Sequence, residues 1–403
     1  MGPAALRSAA ISFSSLLLGL HLAAMGFDAV VLAAAVAWGL AGCAAGIGLG
    51  LWASKRWGSR KSLALISLLM AAGGAAMALA PGPVFIYPAA FLGMLNGMGR
   101  DRGAGLTLDQ AMLPGLVAPQ KRTWLFSWYS LVSDAGNAAG ALLVILPAVL
   151  RRLTDLTVLE SYRTAWGLYI ALCMVAGLGT LLLSARVENA KPVNRATLSA
   201  KSRPRVVRFA ALSSLDSLGG GFLSTALIGY WFFQRFGLNE AVLAPLFFAA
   251  RFANGLSHLG AAWLARRIGL VNTMVFTHLP SSLLLMSVPI APNFPVAAVL
   301  FLLRETFVEM DLPTRQSYLM AIVADHERTS AAALTNGVRV SAWTAGSLIA
   351  GPLMALAGVS APLFAGGSLK IIYDLALYHA FRRIHPPEES IASTHSASNP
   401  SRS

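Results

Sequence analysis

Apolar runs of membrane-spanning length follow one another along almost all of this 403-residue chain. A bilayer core is about 30 Å thick and asks for about 20 apolar residues per helical span, so a chain built this way has few soluble alternatives. The runs and the residues that break them predict helices over 7–25, 29–52, 62–80, 84–112, 124–149, 164–183, 207–234, 241–264, 270–290, 294–323, 330–356 and 360–380. Composition agrees: 56% of the residues are hydrophobic and 12% are charged, against about 45–50% and about 25% in soluble domains. Arg7 leads into an apolar run with no small-residue cleavage site before further spans, so the first helix is expected to stay rather than leave as a signal peptide.

The net charge of +14 raises the question of nucleic acid, and its distribution answers it. The basic residues fall in alternate short loops instead of on one helix face, which reads as positive-inside topology and excludes a nucleic-acid surface. Lys55, Arg56, Arg60, Lys61, Lys121, Arg122, Arg266, Arg267, Arg382 and Arg383 all lie on one side of the helix count. That side is expected to be cytoplasmic, together with both termini. The opposite loops mix Arg151, Arg152, Arg163 and Arg235 with Asp155, Glu160 and Glu240. Residues 1–185 then form one six-helix half and 207–385 a second, joined by a basic cytoplasmic linker over 186–206 that holds Lys191, Arg195, Lys201, Arg203 and Arg205. The Ser- and Pro-rich tail over 386–403 is expected to be disordered. Cys43 and Cys173 lie in apolar stretches without metal or redox spacing, so they read as small packing residues, and no metal or cofactor is expected.

An internal repeat supports the two halves. Lys55-Arg56-Trp57-Gly58 recurs as Arg266-Arg267-Ile268-Gly269, and the same offset of 211 carries Ala80-Pro81 onto Ala291-Pro292. At an offset of 206, Gln110 falls on Gln316, Arg122-Thr123 on Arg328-Thr329 and Ala139-Gly140 on Ala345-Gly346. The expected fold class is an all-α membrane protein: twelve transmembrane helices in two six-helix pseudo-repeat bundles, an arrangement that brackets a central substrate path in many transporters.

With these features the chain resembles the major facilitator superfamily over essentially its whole length. The family signature between helices two and three runs Gly-x-x-x-Asp-Arg/Lys-x-Gly-Arg-Arg, and here that site reads Leu51-Trp52-Ala53-Ser54-Lys55-Arg56-Trp57-Gly58-Ser59-Arg60. The glycine and basic residues match, but Lys55 stands at the Asp position and Arg266 at its counterpart in the second half. The resemblance implies that this Asp helps lock a cytoplasmic gate, so the lock here falls to other acids, with Asp109, Asp325 and Glu327 nearest. GMGRDRGAGLTLDQAMLP at 97–114, RIGLVNTMVFTHLP at 267–280 and EMDLPTRQSYLMAIV at 309–323 resemble a bacterial branch of permeases.

Charged residues inside spans are costly, at least about 2.5–3.5 kcal/mol each, and mark functional positions by default. Helix four, read as continuous, places Arg100, Asp101 and Arg102 in the inner part of the membrane, about 25 Å along the helix, and Asp109 near the cytoplasmic end. Its repeat partner, helix ten, carries Arg304, Glu305, Glu309, Asp311 and Arg315, with Pro313 interrupting the backbone ladder. Further polar residues are Asp134, Asn137, Asp216, Arg251, His258, Arg339, Lys370 and Asp374. Lys370 and Asp374, at i and i+4, read as a structural pair, and His258 as a hydrogen-bonded packing residue.

The expected function is secondary active transport of a small solute by alternating access, proton-coupled and with export favoured over uptake, across a bacterial inner membrane. Asp101, Glu305 and Glu309 are the expected proton-coupling carboxylates, because a carboxyl in a low-dielectric site exchanges its proton when an Arg or water approaches. Arg100, Arg102 and Arg304 serve as counter-charges, and Tyr129, Asn137, Asn336 and Trp343 as lining residues. Lys55, Arg56, Arg60, Asp109, Gln110, Asp311, Arg315, Gln316, Arg266, Arg267 and Arg339 form the gate set. The expected partners are substrate, protons and the lipid bilayer, with a monomeric chain. An enzyme is disfavoured, since there is no His-Glu-x-x-His, nucleophile elbow or phosphate loop in the right context. The competing class is a transport-inactive membrane sensor or assembly scaffold, which the lost signature Asp keeps open.

Overall fold

A computed structural model describes residues 1–113, 122–184, 198–311, 314–315, 318–319, 323–324 and 327–381; within its helices no side chain is described at 111, 122–124, 127, 258, 259, 262, 266 and 329. Among the described residues the secondary structure is helical, without a strand. In chain order the helices are α1 Gly2–Ala24, α2 Ala29–Trp57, α3 Ser59–Leu79, α4 Pro83–Leu92, α5 Ala104–Met112, α6 Arg122–Leu143, α7 Leu146–Leu153, α8 Val158–Leu181, α9 Arg203–Gly221, α10 Thr225–Phe236, α11 Glu240–Ile268, α12 Leu270–Ser287, α13 Phe294–Val308, α14 Arg328–Ala357 and α15 Ala361–Phe381.

Seven stretches among the described residues are long and apolar enough to cross a membrane: Gly2–Ala24, Ala29–Trp57, Ser59–Leu79, Trp128–Leu153, Val158–Leu181, Leu270–Ile290 and Ser330–Ala357. α11 and α15 match them in length, with 29 and 21 residues. Burial is inverted relative to a water-soluble protein. Leu182 and Leu356 are 86% and 89% exposed, while Arg7, Glu240 and Asp374 are buried. Apolar side chains outside and ions inside are what hydrocarbon solvent selects.

The fourth and seventh crossings depart from the sequence expectation. Residues 84–112 do not form one helix: α4 stops at Leu92, α5 begins at Ala104, and 93–103 is non-helical. Gly97 and Gly99 adopt φ of 64° and 73° in this stretch, a region open to glycine at little steric cost. The seventh crossing likewise breaks between α9 and α10, where Ser224 caps the new helix by accepting the Leu227 N–H at 3.3 Å. In the tenth, α13 ends at Val308 with Glu309 as its C-cap, and Asp311, Thr314, Arg315, Tyr318 and Leu319 are again helical; Pro313 lies outside the described residues.

The repeat is visible in the backbone. Gly58 and Gly269 share nearly the same conformation, φ 83° and ψ 162° against φ 85° and ψ 165°. The hydroxyls of Ser62 and Thr273, again 211 apart, donate to the carbonyls of those glycines at 2.8 and 2.7 Å. Ala80 and Ala291 then end α3 and the short 3-10 turn Val288–Ile290 with matching extended torsions.

The chain divides into two compact units. One comprises Met1–Pro192, Gly220–Phe252 and Val340–Gly366, the other Val193–Gly219, Ala253–Arg339 and Gly367–Ser403. In the first unit α1 packs on α6, α8 and α10, α2 on α4, and α3 on α8; in the second α12 packs on α13. The α1–α6 contact is backbone to backbone: a Cβ on Gly140 would overlap the Ala9 carbonyl. Gly140→Val is therefore expected to destabilise the fold by about 1–3 kcal/mol or more, measured as a lowered unfolding midpoint of detergent-purified protein, whereas Gly167→Ala, which meets nothing within 4 Å, does not lower it.

Candidate functional site

The non-helical stretch 93–103 gathers the first unit's charges. α1 brings in Arg7, only 2% exposed, whose Nε lies 3.2 Å from Asp101 Oδ2 and whose Nη2 pairs with Asp109 Oδ2. The Tyr129 hydroxyl, from α6, donates to the same Asp109 oxygen at 3.0 Å. Asp101 Oδ1 accepts the Gly103 N–H at 2.8 Å where α5 begins, so one carboxylate both shapes the break and faces the guanidinium. One cation thus stands against two carboxylates.

The break is held from several sides. Asn96 accepts the Met98 N–H at 2.8 Å and donates to the Arg100 carbonyl at 3.3 Å. The Gly97 carbonyl accepts the Ala226 N–H at 3.0 Å, and the Met98 carbonyl accepts the Thr225 hydroxyl at 3.1 Å and Arg251 Nη2 at 3.2 Å. Arg251 also donates to Thr225 Oγ1 at 2.7 Å. The two interrupted crossings therefore meet through their freed backbone groups. Arg100 lies 3.7 Å from Asp134, and the Arg102 guanidinium stacks 4.3 Å from the centre of the Trp343 ring.

In the second unit the charges converge on Asp216 of α9. Its carboxylate meets Arg315 Nη1 at 2.9 Å, Lys370 Nζ at 2.5 Å and Arg339 Nη2 at 4.0 Å, and Arg315 Nη2 also lies 3.2 Å from Asp311. His278 of α12 sets Nδ1 at 2.9 and 3.1 Å from the two oxygens of Asp374. Lys370 and Asp374 are therefore not partnered as the i, i+4 spacing predicted, because α9 and α12 supply Asp216 and His278 on the same buried face. Glu305 pairs with neighbouring Arg304 and accepts Asn254 Nδ2 at 2.8 Å.

The remaining expected residues scatter. Tyr129, Asn137 and Trp343 are buried, Asn336 is exposed and Glu309 half-buried. Lys55, Arg56 and Gln110 are exposed, Arg60 donates to the Leu183 carbonyl, and Arg267 sits 4.4 Å from the Trp263 ring centre. Gln316 and Asp325 lie outside the described residues, as do the side chains of Arg266 and His258. Sequence reading passed over four contributors: Arg7, His278, Glu240 and the central place of Asp216. Glu240, whose place between two apolar runs marks it as a loop charge, is fully buried, pairing with Arg151 and accepting the Tyr162 hydroxyl at 2.6 Å. The signal for Arg7 was Pro3, which starts α1 early enough to put Arg7 inside the helix.

Outside the spans, Glu327 accepts hydrogen bonds from the Ser202 side chain and from the Ser199 N–H at 2.6 Å, which hold its pKa down at about 2. A depressed acid stabilises the fold fully above its ordinary value of 4.5 and loses that contribution only as pH falls through about 2. The contact is intact at neutral pH, so Glu327→Ala is expected to raise trypsin cleavage after Lys201 several-fold there. Arg7→Gln strands two carboxylates, and removing one partner of a buried pair costs about 3–5 kcal/mol; a large drop in unfolding midpoint is expected, against about 0.5 kcal/mol or less for exposed Lys55→Gln.

Known proteins share this architecture. The solved structure of the nucleoside transporter NupG superposes with a TM-score of 0.73 at 14% identity, covering 94% of this chain and 97% of that one. The xylose transporter XylE from E. coli, in a partially occluded inward-open conformation, gives a TM-score of 0.73 at 13% identity, covering 96% and 97%. The uncharacterized membrane protein YJR124C of Saccharomyces cerevisiae is 23% identical over 360 residues, 81% of this chain and 80% of that protein. The Major Facilitator Superfamily profile matches residues 4–347. With that match spanning most of the crossings described above, the chain belongs to the Major Facilitator Superfamily and is a transporter, not an enzyme.

Proposed function

We propose that this transporter moves a small polar solute across a bacterial inner membrane by proton-coupled alternating access, in the direction of export, as a monomer with both termini cytoplasmic. In this reading residues 1–185 and 207–385 are the alternating halves, 186–206 their linker and 386–403 a tail. The observation that carries it is Arg7 facing both Asp101 and Asp109 out of water. A buried trio with two acids and one base is neutralised by one proton, so proton uptake changes what Arg7 can hold, and with it the grip of α1 on the broken fourth crossing.

Asp101 takes the proton-coupling role here, with Glu305 and Glu309 as the corresponding groups of the second half. Arg100, Arg102 and Arg304 act as counter-charges, and Tyr129, Asn137, Asn336 and Trp343 as lining. The gate set of Lys55, Arg56, Arg60, Asp109, Gln110, Asp311, Arg315, Gln316, Arg266, Arg267 and Arg339 is retained, with Asp109 and Arg315 each partnered inside its own half in the present conformation. Nucleosides and xylose, the solutes named for NupG and XylE, are the first panel for a ligand-induced shift in unfolding midpoint, since binding to the folded state stabilises it.

The ligand so found is then followed in proteoliposomes under an imposed pH gradient. Asp101→Asn and Glu305→Gln are expected to reduce proton-driven flux to background while leaving solute exchange measurable. Unchanged driven flux in both variants would sink the assignment. Orientation-sorted vesicles report the direction.

A further inference from the structure

In the second unit a buried histidine sits inside the cluster of charges. His278 has Nδ1 within hydrogen-bond distance of both Asp374 oxygens, which assigns the Nδ1 proton to that carboxylate. Its Nε2 lies 3.5 Å from Lys370 Nζ and 3.6 Å from Asp216 Oδ1. Lys370 reaches that same Oδ1 at 2.5 Å. One imidazole nitrogen and one ammonium are thus placed to compete for one carboxylate oxygen.

The groups around the ring come from every element packed on it. α9 supplies Asp216, the segment after α13 supplies Asp311 and Arg315, α14 supplies Arg339, and α15 supplies Lys370, Asp374 and Tyr373, whose ring stands edge-on to the imidazole at 6.1 Å. α13 approaches through the Arg304 carbonyl, which accepts the Ser281 hydroxyl at 3.4 Å, and Arg304 is paired with Glu305. Leaving that pair aside, three acids stand against three bases, so the cluster is neutral when the imidazole is neutral and carries one excess positive charge when it is protonated. In the neutral state Nε2 accepts from Lys370. A protonated ring has no acceptor left, places a like charge against the ammonium, and has Asp216 Oδ1 as its remaining acceptor.

We propose that His278 is a proton-loading group: a proton taken from water onto Nε2 makes the imidazolium a donor to Asp216 Oδ1 and displaces Lys370 from it. This rearrangement loosens the tie between α9 and α15 and tightens that between α9 and α12. It deepens the proton-coupling reading and rests on that reading for its place in transport, but its occurrence is read without any solute.

The test is nitrogen NMR of the full-length protein, labelled at His and Lys, in lipid nanodiscs from pH 5 to pH 9. His278→Asn and His278→Gln identify the His278 signals among the seven histidines, and Lys370→Arg identifies that of Lys370. The expected result is that Nε2 passes from acceptor to donor with falling pH while Nδ1 stays protonated, and that the Lys370 signal shifts with the same midpoint. A His278 ring that keeps one tautomer across the range overturns the inference, and so does a titration that leaves Lys370 unmoved. Either negative result leaves proton-driven flux through Asp101 to be judged by its own assay, and a protein without flux still shows the transition if the inference holds.

Discussion

A guanidinium kept from water dictates much of the first unit. Moving an ion out of water costs several kcal/mol even after relaxation, and only close, well-shaped partners recover it. Arg7 meets that demand with Asp101 and Asp109, and Tyr129 supplies another bond to Asp109. The consequence is positional. α1, α5 and α6 are each tied to the same small volume, and the break in the fourth crossing is where it is because Asp101 must reach Arg7 while also starting α5. Glycines at 97 and 99 let the chain take that route.

The second unit answers the same demand with the signs exchanged. Where α1 offers a base to an acid of the fourth crossing, α9 offers Asp216 to Arg315 of the tenth. Asp109 and Arg315 differ by the offset of 206 that relates Gln110 to Gln316. The repeat has therefore kept a contact between the same two crossings while replacing both residues that make it. A pair of buried charges is preserved as a pair, because either member alone is intolerable in a low dielectric. The second unit then adds Lys370, Arg339, His278 and Asp374 around the acid, so that an imidazole stands inside its charge cluster.

How much of this was legible follows from the range of the interactions. Hydropathy is a local property of twenty-residue windows, and it marked the crossings, the basic turn repeated at Gly58 and Gly269, and the charges of crossings four and ten. The break at 93–103 is also local, written in Gly93, Gly97, Gly99 and Gly103, but an apolar Met and Leu background disguised it as helix. Partnership was not local. Lys370 and Asp374 looked like mates because they are four residues apart, whereas their actual partners lie 154 and 96 residues away. His278 gave no signal beyond one imidazole in an apolar run, and Glu240 passed for a loop charge because nothing nearby in sequence reveals that it is buried against Arg151 and Tyr162.

The break in the fourth crossing has its backbone accounts settled by a neighbour. Unpaired N–H and C=O groups are expensive in hydrocarbon, and the carbonyls of Gly97 and Met98 find their donors in Ala226, Thr225 and Arg251. Those donors sit at the start of α10 and in α11, so the unwound state belongs to the pair of crossings and not to residues 93–103 alone. Should α10 withdraw, the same carbonyls lose these donors, and winding into helix is one way to replace them. Winding advances the chain about 1.5 Å and turns it about 100° per residue, which sweeps Arg100, Asp101 and Arg102 around the axis together. The fourth crossing is in this sense a clutch: the bearings of its charges depend in part on its engagement with the seventh.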